Sequence, residues 1–359
     1  MMAVSMDDLS GITVTVAGKT YTSFTSISAT TALDQAARTF QLSVASELGA
    51  LVTARMFAEG SPVIMYVDGE LWLTGFVDRY QPRLGPSEAS ITVTGRSKGQ
   101  DAIDSSVIHK TGYFENRTPL DIAKELDLSG VGFSANDTMD PLGHFQVTPG
   151  ETVFQAMERL ARDQAYSLHG KPDGSIEFWR AKGTLKRQSG PLIEGFNIKS
   201  ADADHNWAKR HSHYHVRGQS AQGANADVTQ LEAVARDDAV QRYRPTVVLA
   251  EGDTDATRCK ERAGHHRNTR AGRSLSAQID VVGYRDAGGT LWTPGNLVYV
   301  ESDFLALKQD MLIEQVSVSE NSSGQMSKLH LCDPRAYGGD KRKASKSGGE
   351  WDFSNEAAE

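Results

Sequence analysis

Three histidines, His211, His213 and His215, alternate in RHSHYHVRG, with His205 a few residues upstream. Alternate residues of a β-strand share a face, so this spacing would align three imidazoles as nitrogen ligands for zinc or iron. No Asp or Glu lies at a matching spacing inside that strand, and a catalytic metal also relies on outer acceptors that orient its ligands. A solvent-facing or interface stripe is the competing reading. A metal-dependent enzyme is therefore carried as a third hypothesis, with His211, His213 and His215 as its candidate ligands. No catalytic residue and no cofactor is expected.

Other chemistry is sparse. His265 and His266 lie beside Arg262, Arg267 and Arg270, where a charged helical face is the plain reading. No G-x-S-x-G elbow, phosphate loop, dinucleotide fingerprint or H-E-x-x-H helix occurs. The carboxylate pairs Glu47 with Glu59 and Asp137 with Asp140 have no spacing that separates a glycosidase from solvated loops. Cys259 and Cys332 are expected to be reduced core thiols in a helix and a strand. Lys341, Arg342, Lys343 and Lys346 read as a solubilising charged end.

The elements that would position these residues are mainly strands. Residues 12–21 form an opening hairpin around Ala17 and Gly18. Residues 98–180 change character. Thr118 caps a helix that has Pro119 in its first turn and Asp121 near its positive end, and it ends near Ser129 and Gly130. A strand from His144 turns at Thr148, Pro149 and Gly150 into a helix whose Val153, Phe154, Met157, Leu160 and Ala161 share one face. Strands return on either side of Pro172, Asp173 and Gly174. The layout of residues 147–166 is similar to peptidoglycan-binding LysM modules, which supports a second hypothesis, a cell-wall glycan-binding protein acting through this insert. Further on, residues 220–228 look like a mobile loop, and a helix runs near 253–271.

Composition narrows the class. At 359 residues, 39% hydrophobic and 23% charged, the chain fits two or three soluble domains. No apolar run is long enough for a membrane span, and the first residues lack the regions of a secretory signal. A net charge of −8 argues against gripping nucleic acid, which requires clustered cations, and suits a surface that DNA passes without sticking.

The segments starting at Thr39, Gly60, Leu71 and Ile91 alternate apolar and polar residues, and so do those starting at Ser274, Gly295, Met311 and Leu329. Gly60 lies as far beyond Thr39 as Gly295 lies beyond Ser274. The order matches while letter identity is poor, so either one β-meander occurs twice or two all-β domains share only the alternation common to strands. The fold expected is α+β, mainly β: two similar antiparallel β-barrel domains with an α+β insert between them and a disordered C-terminal tail. The boundaries are 1–97 for the first barrel, 98–180 for the insert, 181–337 for the second barrel with its helix, and 338–359 for the tail. Val316 and Val318 are expected to face inward in the second barrel.

GELWLTGFVDRY (69–80), ITVTGRSKGQDAID (91–104), FQVTPGETVFQAMERLARD (145–163), HYHVRGQ (213–219), LWTPGNLVYVES (291–302), MLIEQVSVS (311–319) and LHLCDPRAY (329–337) together make the chain resemble the baseplate hub proteins of contractile-tailed phages, specifically the Mu-like family. The resemblance implies a non-enzymatic homotrimer whose paired barrels form a ring of pseudo-sixfold shape between the hexameric tail tube and a trimeric spike. Two modules per subunit and three subunits would present six similar surfaces to the tube. The implied partners are a separate spike protein, the tail tube or distal tube protein and other baseplate proteins, with DNA only passing through the channel and no membrane insertion. The implied location is the virion tail baseplate, assembled in the bacterial host cytoplasm.

Overall fold

The computed structural model describes residues 11–46, 57–85, 89–181, 185–219, 230–253 and 256–337. The loop at 220–228, the tail at 338–359 with its lysines, and Glu47 lie outside them.

The N-terminal strands are β1 (Ile12–Val16), β2 (Lys19–Tyr21), β3 (Ser26–Ala32), β4 (Thr39–Ser46), β5 (Pro62–Val67), β6 (Glu70–Leu84) and β7 (Ala89–Ser97). Ala17 and Gly18 turn β1 into β2 with φ of 47° and 79°, the left-handed pair that a tight hairpin with native twist requires. Alternation works as expected: Phe40 and Leu42 of β4, Val63 and Met65 of β5 and Val93 of β7 are buried.

The insert comprises α1 (Gln100–Asp104), β8 (Tyr113–Arg117), α2 (Pro119–Leu126), β9 (Phe133–Ala135), β10 (Leu142–Gln146), α3 (Val153–Asp163), β11 (Ser167–Gly170) and β12 (Ile176–Trp179). Thr118 caps α2 by accepting the Asp121 amide at 3.1 Å. That helix stops at Leu126, earlier than expected, because the Asp127 carboxylate takes the Val131 and Gly132 amides at 2.9 and 2.7 Å. Thr152 and Gln155 form a reciprocal capping box on α3. Met157 and Leu160 of α3 join Ile122, Leu126, Ile176 and Phe178 in one core.

The remaining elements are β13 (Leu192–Ile193), β14 (Ser200–His205), β15 (His213–Gln219), β16 (Gln230–Arg236), β17 (Pro245–Asp253), α4 (Ala256–Gly272), β18 (Leu275–Val282), β19 (Leu297–Ser302), β20 (Leu307–Asn321) and β21 (Gly324–Cys332). Cys259 on α4 and Cys332 on β21 are free and buried.

The chain divides into two compact units. The first is Met1–Arg180, Asp280–Pro294 and Glu314–Leu329; the second is Ala181–Ile279, Gly295–Ile313 and His330–Glu359. Strands β18, β20 and β21 therefore pass from one unit to the other. This corrects one expectation: Val316 and Val318 are buried, at 0% and 1% exposure, but they lie in the first unit, where β20 pairs with β3. The ladder follows an open path that ends at β2 and at β14, and no closed barrel is formed by the hydrogen bonds of the described strands.

In the first unit, the Arg38 side chain is buried at the start of β4, donating to the Gly170 carbonyl at 2.7 Å and the Trp72 carbonyl at 2.8 Å. Desolvation lowers its pKa to about 9. His169 lies within 2.8 Å of the Ala32 carbonyl through Nδ1, and burial, reinforced by Arg38, lowers its pKa to about 4. These two side chains fix β11 of the insert to the β3 and β4 corner.

Candidate functional site

The three histidines do not form a ligand set. His213 and His215 share a face of β15, with ring centroids 6.3 Å apart, but His211 precedes the strand, and its amide donates to the Tyr214 hydroxyl. Arg236 Nε donates to His213 Nε2 at 3.1 Å, engaging the lone pair a metal would need and setting a cation beside it. His215 Nδ1 lies 2.7 Å from the Glu232 carboxylate. Burial, then Arg244, holds the His211 pKa below its ordinary value. Among the described residues no group of three or more His, Cys, Asp or Glu could hold a metal ion. The other face of this three-stranded β16, β15, β17 sheet is the core: Val216 packs against Cys259 and Ala263 of α4.

His265 and His266 lie on α4, where burial is the first cause lowering both pKa values, that of His265 to about 4. Asp137 pairs with Arg180, which gives that carboxylate a structural role, and the Asp140 amide donates to the Gln164 side-chain oxygen at 3.1 Å. Glu151, the acidic residue behind the LysM-like layout, accepts the Thr148 amide and pairs with Arg159, both at 2.9 Å.

The feature that organises the molecule is the duplicated meander. In space the first set of strands runs β4, β7, β6, β5; the second runs β18, β21, β20, with β19 on β20. Chain order and spatial order agree strand for strand. The hydrogen bonds give residue-level equivalence. Gly60 donates to the Val77 carbonyl at 2.8 Å and Val77 to the Ser61 carbonyl at 3.0 Å; Gly295 donates to Ile313 and Ile313 to Asn296, both at 2.9 Å. Ser97 donates to the Arg38 carbonyl at 2.8 Å, as Asp333 does to Leu275 at 3.2 Å. Val77 thus corresponds to Ile313, Ser97 to Asp333 and Arg38 to Leu275.

Both long strands leave their first edge partner at the same point. β6 pairs with β5 over 70–76, and its ladder with β7 shifts register between Val77 and Arg79. β20 pairs with β19 over 307–312 and then with β3 over 315–321. β3 and β14 are likewise equivalent, each hydrogen-bonded to the leading strand of its set, β4 or β18. Neither was anticipated from sequence. SISATTA and SADADH consist mostly of small and charged residues, so the large apolar alternation that marks a strand is weak in them. Ile27, Ala29 and Thr31 alternate in burial, but Ile27 is the one large apolar residue among them.

Known proteins match most of the chain. Residues 11–97 match the N-terminal domain of Mu phage baseplate assembly protein GpP-like proteins, residues 99–180 the second domain of baseplate hub protein gp44-like proteins, and residues 255–340 the fourth domain of Mu phage baseplate assembly protein GpP. The chain is 27% identical over 323 residues to the baseplate hub protein gp44 of Escherichia phage Mu, covering 86% of this chain and 84% of that one. The crystal structure of the 43 kDa tail protein of prophage MuSo2 from Shewanella oneidensis superposes with a TM-score of 0.79 at 27% identity, covering 91% of this chain and 98% of the other. A tail protein of Neisseria meningitidis MC58 shares the fold, with a TM-score of 0.75 at 20% identity over 91% and 97%. Matches to a first, a second and a fourth domain in chain order, with the similarity over 86% of the chain, place this chain in the Mu-like baseplate hub family of gp44 and GpP, as a structural tail protein.

Proposed function

We propose that three copies of this chain form the central hub of a contractile-tail baseplate, a ring of pseudo-sixfold shape adapting the hexameric tail tube to a trimeric spike. The observation that carries this reading is the duplication with identical strand order. A threefold assembly of a doubled subunit presents six similar modules, and head-to-tail contacts between unlike modules close a ring when the rotation permits. In this reading residues 1–97 and 181–337 are two barrel-like modules, the second carrying the helix near 253–271. Residues 98–180 are an outer domain available to other baseplate proteins. The partners are the spike and the tail tube or distal tube protein. The site of action is the virion tail, after assembly in the host cytoplasm. The net charge of −8 lets DNA pass without binding.

Light scattering on the purified chain tests the reading. It predicts a molar mass three times 39.0 kDa. A monomer at every concentration, pelleting with purified peptidoglycan, would replace it with glycan binding through the insert.

A further inference from the structure

The duplication leaves two strand edges that the described residues do not fill. In the first unit, the outer edge of β20 over 315–321 is covered by β3. The equivalent stretch of β6, residues 79–84, pairs with β7 on one side and with no described strand on the other. In the second unit, β14, the counterpart of β3, pairs with β18 and ends the ladder. One chain therefore contains one completed junction and both halves of a second.

We infer that β6 of one copy pairs antiparallel with β14 of the next, repeating the β20 and β3 junction between subunits. The inference rests on the trimeric reading above and supplies its contact. Its register follows from the equivalences. Ala29 lies opposite Phe40 in the β3 and β4 pair. The Asn206 amide donates to the Ser274 carbonyl at 2.8 Å, which sets Ala203 opposite Ala277, the counterpart of Phe40. Ala203 thus corresponds to Ala29, Asp202 to Ser28 and Asp204 to Thr30. In the completed junction Ala29 faces Val318, Ser28 faces Ser319 and Thr30 faces Ser317, whose hydroxyls lie 2.8 Å apart. The open edges then bring Asp202 opposite Arg83, Asp204 opposite Gln81, Ala203 opposite Pro82, His205 opposite Tyr80 and Ala201 opposite Leu84.

The side chains suit that register. Arg79 and Arg83 stand on one edge and Asp202 and Asp204 on the other, and none of the four has an ion-pair partner among the described residues. Opposite charges directly across a ladder favour pairing, and like charges oppose it, so two copies cannot join β6 to β6 or β14 to β14 without repulsion. On the other face Ala203 meets Pro82, and Leu84, 77% exposed in the single chain, gains cover from Ala201. Pro82 stands at the Val318 position. Leu33 donates to the Glu314 carbonyl at 2.9 Å, so by alternation Val318 turns its amide toward β3. Pro82 has no amide to offer there, which blunts the free edge against indiscriminate pairing and leaves its carbonyl for Ala203.

A disulfide reads this contact directly. Asp202 and Arg83 would occupy a non-hydrogen-bonded pair, with Cα atoms about 4.5 Å apart, within the reach of a disulfide. The full chain carrying D202C and R83C together, mildly oxidised, is expected to run on a non-reducing gel as a covalent trimer that reductant returns to one chain. Each single variant is expected to stop short of that band, since Cys259 and Cys332 are buried. A second series needs no new thiol: R83D and D202R singly should raise the midpoint concentration of assembly about tenfold or more, and R83D with D202R should restore it. A wild-type trimer that neither cross-links at this pair nor responds to these reversals overturns the junction and leaves the hub reading standing. A wild-type chain that stays monomeric overturns both.

Discussion

The two copies of the meander share strand order, hydrogen-bond pattern and the position where the long strand leaves its first edge partner, yet they differ in what fills equivalent places. By the equivalence of Ser97 with Asp333, Gly95 corresponds to Leu331. A Cβ on Gly95 would come within 2.2 Å of the Phe76 carbonyl and 2.5 Å of the Phe40 ring. The first copy thus fills with Phe40 the space that the second gives to Leu331, opposite the small Ala277. The copies also differ at their edges: Val318 is buried under β3 and Pro82 is exposed. Packing is conserved between the copies as volume and pattern, and residue identity is free to drift, which is why the duplication shows so weakly letter by letter.

The edge difference predicts the largest effect. V318D places a charge in a covered junction and should cost about 4 kcal/mol or more, seen as loss of the folded chain in a thermal melt. P82D, at the equivalent open edge, should change the melt of the unassembled chain by less than about 0.5 kcal/mol. Equal costs at the two sites would break the comparison.

Titration gives a second contrast. Folded His169 has a pKa of about 4 against its ordinary 6.5, so the unfolded chain takes up the proton first as pH falls. The stability contributed by the neutral imidazole is complete above about pH 6.5, is lost between 6.5 and 4, and is constant below. The full loss would be about 3 kcal/mol for a shift of this size. His169→Asn keeps a donor for the Ala32 carbonyl and should flatten that part of the denaturation profile. His265 in the second unit, also lowered to about 4, should leave a residual slope in the same window. An unchanged slope in H169N would show that this corner of the first unit is not under the strain of burial described here.

Two further substitutions test the core swap. Leu331→Ala should cost about 2 to 5 kcal/mol through an unfilled cavity, whereas Gly95→Ala should cost about 1 to 3 kcal/mol through overpacking against Phe40, both measured by urea denaturation. If Gly95→Ala were stabilising, the two positions would not be equivalent.

Much of this architecture was legible in the sequence, and the parts that were not share a physical cause. β4 to β7 and β18 to β21 announce themselves by large residues alternating with polar ones, and the caps at Thr118 and the turn at Ala17 and Gly18 by chemistry local to a few residues. Short-range signals fail where a strand is defined by its neighbours. β3 and β14 carry mostly Ser, Ala, Thr and Asp, so their place in the sheet is set by the strands they pair with. Arg38 reads as an ordinary surface cation, and only long-range carbonyls from Trp72 and Gly170 explain its burial. The alternating histidines suggested a metal; a strand beginning at His213 and an arginine donating to one of its nitrogens are both tertiary facts. The inward character of Val316 and Val318 was readable, but their unit was not, since β20 crosses between units at Ile313 and Glu314.

Electron micrographs of the purified full-length chain test the central claim most directly. Averaged end views should show a threefold annulus carrying six similar lobes around an open channel. Particles of one or two chains, or rings whose lobes alternate between unrelated shapes, would contradict it.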